Sequence, residues 1–199
     1  IIFRSAEFSP EMPPRQKVTF APERALGPAP PPASPPAAPP AAPPASPPSS
    51  PALVVGVDEC GRGCLYGDVV AGAVILKPRE SLGSDEDRAA YDALTDSKVL
   101  SAKRREALAE AIRTRLAVAY GIGRVSPRVI EDVNILQATM RAMHLALDMA
   151  ARSLPAGSAP AKIKVDGTYF KPWSREAGGE SIPYECIVKG DLKEKAISA

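Results

Sequence analysis

Leu53-Val54-Val55-Gly56-Val57-Asp58-Glu59-Cys60-Gly61-Arg62-Gly63 is a short apolar run that meets two acids and then a glycine-rich turn. Leu53–Asp58 reads as a buried strand, being short, β-branched and bounded by turn residues. Neighbouring strand residues point to opposite faces. Asp58 and Glu59 therefore serve one site only if the strand breaks between or just after them, and Gly61-Arg62-Gly63 supplies that break. Downstream, Val69–Leu76 reads as a second strand, and the charged stretch Ser84–Arg88 as a solvated loop. Ser101 can cap a helix running to about Arg115, with Leu108, Ile112 and Leu116 on one face. Leu116–Val125 alternates as a strand. Ser126-Pro127 is a cap followed by proline at the first helical position, so a short helix begins there. Leu136, Met140, Met143 and Leu147 recur at helical spacing and mark a longer helix, about Ile135 to Ser153. Ala161–Asp166 and Tyr184–Val188 read as two further strands, joined through a polar, Gly-rich loop, Lys171–Ser181. Ala199 falls within an opening helix. Strands first, then strands mixed with helices, give an α/β domain on a mixed sheet.

Upstream of Leu53 the composition changes. Pro28–Pro51 contains only Pro, Ala and Ser. Such a segment has no apolar face to bury and few backbone donors, so an extended, disordered tether is expected. Residues 1–27 show no clear period. The expected organisation is an N-terminal extension over 1–51 and a folded domain over 52–199. The chain begins at Ile1 rather than Met and reads as a fragment. The formal net charge of +2 announces no global basic field, so a nucleic-acid partner must be held by local Lys and Arg. Cys60, Cys64 and Cys186 are odd in number and lack a disulfide-framework spacing, which fits a reducing compartment. No apolar run is long enough to cross a membrane.

Acids fall at three strand ends: Asp58 and Glu59, Asp166, and Asp191 just past the last strand. Carboxylates at strand ends can converge on one rim of a sheet, where α/β proteins place their sites. Hard oxygen ligands without a Cys/His set suit Mg2+ or Mn2+ rather than Zn2+. Three or four carboxylates also match a two-metal arrangement for phosphodiester cleavage. On the residues alone two readings stand, a metal site and a set of solvated acids.

Six blocks in order narrow the choice. Gly56-Val57-Asp58-Glu59-Cys60-Gly61-Arg62-Gly63 resembles the opening motif of ribonuclease HII, the bacterial type 2 ribonuclease H. Asp96-Ser97-Lys98 with Leu100-Ser101 resembles that family's second block. Ser126-Pro127, Asn134-Ile135-Leu136-Gln137-Ala138-Thr139, Val165-Asp166-Gly167 and Ile187-Val188-Lys189-Gly190-Asp191 follow in the family's order, over about Leu53 to Ala199. The resemblance implies a ribonuclease H-like fold, two Mg2+ or Mn2+ ions, and a catalytic, metal-binding set of Asp58, Glu59, Asp166 and Asp191. It implies a monomeric, cytoplasmic endoribonuclease, or an organellar one if the extension is a targeting segment. The implied substrates are RNA–DNA hybrids and duplex DNA with single ribonucleotides, cut 5′ to a ribonucleotide to leave a 3′-hydroxyl and a 5′-phosphate. Gly61, Arg62 and Gly63 are the expected ribose readers, because a glycine turn lets backbone groups approach a 2′-hydroxyl. Lys98, Lys189 and Lys193 are expected to neutralise phosphates. Asn134 and Thr139 are expected to hydrogen-bond the DNA strand. Cys60, Cys64, Tyr66 and Asp68 depart from the family's usual residues without replacing an acid. The resemblance also implies later helices beyond Ala199, including a tyrosine that stacks at the RNA–DNA junction, and hence a chain of marginal stability without them.

Other conspicuous residues have plainer readings. His144, among apolar residues of a helix, reads as structural. Cys60 and Cys64, without further ligands, read as a buried or half-exposed thiol pair rather than a zinc site. Met140 and Met143 read as core, Tyr169 and Trp173 as packing, and Lys103-Arg104-Arg105 as a solvated helix start. The competing functional readings are a non-catalytic nucleic-acid-binding fragment and an interaction module centred on the proline-rich arm.

Overall fold

The computed structural model describes residues 52–155, 158–175 and 179–199. The tether expected over 1–51 lies outside them, as does part of the Lys171–Ser181 loop. Within these residues five strands form one sheet: β1 (Val54–Cys60), β2 (Val69–Leu76), β3 (Ala117–Val125), β4 (Lys162–Asp166) and β5 (Tyr184–Ile187). Their spatial order is β3-β2-β1-β4-β5. β1 pairs antiparallel with β2, as β2 does with β3, while β1–β4 and β4–β5 are parallel. β1, β3, β4 and β5 therefore run in one direction, and their C-terminal ends share an edge of the sheet.

Five α-helices accompany the sheet among the described residues: α1 (Asp85–Asp92), α2 (Ala102–Ala111), α3 (Pro127–Val133), α4 (Ile135–Arg152) and α5 (Lys195–Ser198). α4 packs against β3 and β2. Its Ala142, Met143, Ala146 and Leu147 join Val55, Val57, Ala71, Ala73, Ile163 and Val165 of the sheet in the larger core. Each fully buried side chain of Val, Leu, Ile or Met contributes about 1.5–3 kcal/mol. The opposite face holds a second core, in which Val74 of β2 meets Leu82, Leu94, Leu108, Ile112, Leu116 and Ala199.

Two expectations are corrected. Ser84–Arg88 is not a loop, since α1 occupies Asp85–Asp92. The Ser84 hydroxyl accepts the Asp87 N–H at 3.0 Å, and Asp85, Glu86 and Asp87 place negative charge in the first turn. Cap and macrodipole together stabilise a helix whose charge density suggests solvent. The helix capped by Ser101 does not run regularly to Arg115. It stays α-helical to Ala111 and continues as a π turn over Ile112–Leu116, still burying Leu108, Ile112 and Leu116. On α4, Met140, Met143 and Leu147 are buried as expected, whereas Leu136 is exposed. No helix among the described residues is long and apolar enough to cross a membrane.

Candidate active-site rim

The shared C-terminal edge collects the strand-end acids. β1 continues to Cys60, still paired with β2 through Asp58, Glu59 and Cys60, and ends just before Gly61, whose φ is +98°. The strand thus breaks after both acids rather than between them. Val55 and Val57 lie in the α4-side core, so by alternation Gly56 and Asp58 face the other side of the sheet. The same alternation on β4, where Ile163 and Val165 join the α4-side core, sends Asp166 to the side of Asp58. Val57 is paired with Val165, which makes Asp58 and Asp166 neighbours one step further along adjacent strands. Glu59 belongs to the opposite parity, and its Oε1 meets the Arg62 guanidinium at 3.3 Å.

Asp191 comes from the turn Gly190–Leu192 after β5. The Gly190 N–H donates to Asp166 Oδ1 at 2.7 Å, which ties that turn to the end of β4. Asp191 Oδ2 stands 3.7 Å from Lys98 Nζ, and Asp96 Oδ1 stands at the same distance on that ammonium. Burial raises the Asp58 carboxyl above its usual range, and the charge of Asp166 adds to the effect. Glu59 is raised by burial and then by Asp58. Lys98 is held more firmly protonated by Asp96 first, with Asp191, Asp58 and Asp166 contributing. One protein cation thus already sits in the field of the acids. Among the described residues no three His, Cys, Asp or Glu side chains stand close enough together to form a ready metal cage.

The expected substrate contacts divide. Arg62, Lys98, Lys189 and Lys193 are exposed, and Lys189 adopts a left-handed conformation at φ 56°. Lys193 Nζ donates to the Val188 carbonyl at 2.8 Å. Asn134, with φ 70°, caps α4 by accepting the Gln137 N–H at 3.1 Å, which leaves its amide NH2 as the outward group. Thr139 is a correction. It is fully buried, and its hydroxyl donates to the Ile135 carbonyl one turn back at 2.8 Å, so it reaches no groove. Cys60 and Cys64 are both exposed rather than buried or half-exposed. Tyr169 is exposed too, whereas Trp173 packs as expected and donates its indole N–H to Asp148 at 2.9 Å. His144 is structural: its Nε2 lies 3.0 Å from the Lys171 carbonyl oxygen, and its ring meets Phe170 edge-on.

Asp96 was not singled out from the sequence. Its carboxylate accepts the Lys98 N–H at 2.9 Å, capping the turn Ser97–Val99, and also faces the Lys98 ammonium. The signal was present in Asp96-Ser97-Lys98, because an Asp two residues before a backbone donor favours such a turn.

Comparison with known proteins places this arrangement. Ribonuclease H2 from Pyrococcus horikoshii OT3 superposes with a TM-score of 0.55 at 24% identity, over 73% of this chain and 66% of that one. Bst ribonuclease HIII, solved in complex with Mn2+, gives 0.55 at 17% identity, over 74% of this chain and 49% of that one. The fold is thus of the ribonuclease H-like class. The ribonuclease HII family profile matches residues 55–199. Ribonuclease HII of Oleidesulfovibrio alaskensis is 48% identical over 155 residues, covering 74% of this chain and 59% of that protein. That of Polynucleobacter asymbioticus is 48% identical over 147 residues, covering 73% and 65%. The chain belongs to the ribonuclease HII family, and it spans about three fifths of the length of these relatives.

Proposed function

We propose that this chain carries the catalytic rim of a metal-dependent endoribonuclease that hydrolyses the RNA strand of RNA–DNA duplexes and cuts 5′ to single ribonucleotides in DNA. The observation that carries the reading is the placing of Asp58 and Asp166 side by side on one sheet face, with Asp191 joined to the same edge through the Gly190 N–H on Asp166. The donor set fits Mg2+ or Mn2+. It consists of hard carboxylate oxygens, and burial raises two of them above their usual range, a strain that a bound cation would relieve. Asp58, Glu59, Asp166 and Asp191 would hold the ions. Bound there, a metal ion would supply Lewis-acid stabilisation and make a water more acidic.

The chain's own groups do the rest. The Gly61–Gly63 turn presents backbone groups to a ribose 2′-hydroxyl, the one feature that separates RNA from DNA at a given site. Arg62 reaches a phosphate once released from Glu59. Lys98, Lys189 and Lys193 neutralise backbone phosphates beside the acids, and the Asn134 amide donates to the DNA strand. The test is a duplex carrying one ribonucleotide, incubated with and without Mg2+. The expected product is a single cut 5′ to the ribonucleotide, seen only with the ion, leaving a 3′-hydroxyl and a 5′-phosphate. Tight binding without a cut under any divalent ion would favour the non-catalytic fragment instead.

A further inference from the structure

Among the described residues, the five most exposed large hydrophobic side chains are Leu65 at 107% of full accessibility, Tyr66 at 88%, Val99 at 70%, Leu192 at 60% and Val188 at 55%. All five lie on segments that carry candidate site residues: the turn after Gly61-Arg62-Gly63, the turn of Lys98, and the stretch Val188–Lys193. Single exposed apolar residues are ordinary on a protein surface, but their concentration beside a site marks a contact. Leu65 and Tyr66 are adjacent, and they lie between the Gly61–Gly63 turn and the start of β2. In sequence, Arg62 of the glycine turn precedes them and pairs with Glu59 at 3.3 Å, and Asp68 follows them and pairs with Arg124 of β3 at 3.4 Å. An apolar tip that directly follows the turn assigned to the ribose suits the sugars and bases inside a duplex groove.

Resting on the function proposed above, we infer that Leu65 and Tyr66 form an apolar wedge that enters the minor groove of the bound duplex beside the ribonucleotide read by Gly61–Gly63, with the Tyr66 ring against a sugar–base edge. The minor groove of an A-form RNA helix is wide and shallow, and the narrower minor groove of DNA admits apolar wedges that open a base step. Apolar residues inserted there gain contact with base steps. An aromatic contact with a base is sequence-tolerant, as an enzyme acting at any ribonucleotide requires. The wedge carries no charge, so it adds affinity without adding to the number of released counterions.

The experiment measures binding of the full chain to a labelled duplex with one ribonucleotide, by fluorescence anisotropy at several salt concentrations. An Asp58→Asn background prevents cutting. Tyr66→Ala is expected to weaken binding by about tenfold, the scale of one lost base–aromatic contact, while the slope of affinity against salt stays unchanged. Tyr66→Phe should stay within about twofold of the parent, because ring contact rather than the hydroxyl carries the effect. Arg62→Ala should instead flatten the salt slope by about one ion. Tyr66 touches no core, so its variants should keep the parent melting temperature. Tyr66→Ala binding within twofold of the parent would overturn the wedge and leave the proposed function standing. An Asp58→Asn chain that does not bind the duplex at all would overturn both.

Discussion

On one face of the sheet, α4, an 18-residue helix, lies so close to β3 that a Cβ on Gly121 or Gly123 would fall inside the helix backbone at Ala146 or Ala142. On the other face the cover over β1 is α5, four residues long, which presses its Ala196 backbone onto Gly56 in the same way. The side chains of the first contact are largely apolar, with Ala142, Ala146 and Ala150 of α4 and Ala119 and Val125 of β3 in one core. The second is fastened largely by polar ties. Lys195 Nζ donates to the carbonyls of Asp92 and Leu94 at 2.7 and 2.6 Å, the Ser198 hydroxyl donates to the Asp191 carbonyl at 2.6 Å, and Lys164 pairs with Glu194 at 2.6 Å. Of the α5 side chains, Ile197 is the large apolar one that is buried. The acids Asp58 and Asp166 stand on this second face. The long apolar cover thus lies on one face, and the lighter cover lies on the face of the proposed Asp58–Asp166 pair.

The sharpest way to break that contrast is at the acids. Asp58→Asn should lower cleavage of a single-ribonucleotide duplex by about a thousandfold or more, since metal-borne charge stabilisation is worth several kcal/mol. The same change should leave the melting temperature of the metal-free protein equal or higher, because it removes one charge from a crowded set. A variant that cleaves at the parent rate would remove Asp58 from the site. A matched glycine pair then compares the two covers directly. Gly123→Ala should cost about 1–3 kcal/mol or more through overpacking against α4, read as a fall in the thermal midpoint. Gly56→Ala should shift α5, and with it Asp191, so that cleavage drops by at least about tenfold (roughly 1.4 kcal/mol of barrier) while the midpoint falls less than for Gly123→Ala. The reverse ranking of midpoints would show that α5, not α4, anchors the fold.

Smaller effects test the edges of the comparison. Ser84→Ala removes the α1 cap and should cost about 1 kcal/mol, measured by denaturant midpoint with cleavage unchanged. Deleting residues 1–51, where no candidate site residue lies, should leave both the midpoint and the cleavage rate near the parent values. A large loss of either would show that the extension takes part in folding or binding.

The sheet was the most legible part of the chain. β2 matched its expected bounds, and the other strands came within one or two residues, because short β-branched runs between turn residues have few alternative readings. The acids were legible as candidates, but their common face was not. It rests on the parallel register that sets Val57 beside Val165, a pairing between segments about a hundred residues apart that no local pattern encodes. α1 was hidden because its stabilising features, a cap and three leading acids, are the same residues that suggest solvent. Thr139 failed as a contact because residue type gives no helix phase: its position on α4 turns it inward, where its hydroxyl satisfies a backbone carbonyl. Leu136 failed for the same reason, with its place on the period wrong by part of a turn. The exposure of Cys60 and Cys64 followed from a strand that runs past both acids to the very rim.

The two hydrogen bonds from Lys195 bear on how the molecule comes together in time. They span 103 and 101 residues of sequence, whereas β1 and β2 are adjacent in sequence, β3 follows after α1 and α2, and α4 comes soon after. Closing long loops costs entropy before any contact repays it, so distant pairings form late. A chain emerging from its N-terminal side can build the antiparallel β1–β2–β3 unit and seat α4 before β4, β5 and α5 exist. Asp58 is therefore in place early, while its neighbours Asp166 and Asp191 arrive with later segments. Divalent-ion affinity should then appear only after β4, β5 and α5 have docked, which makes it a natural timer for that step of refolding.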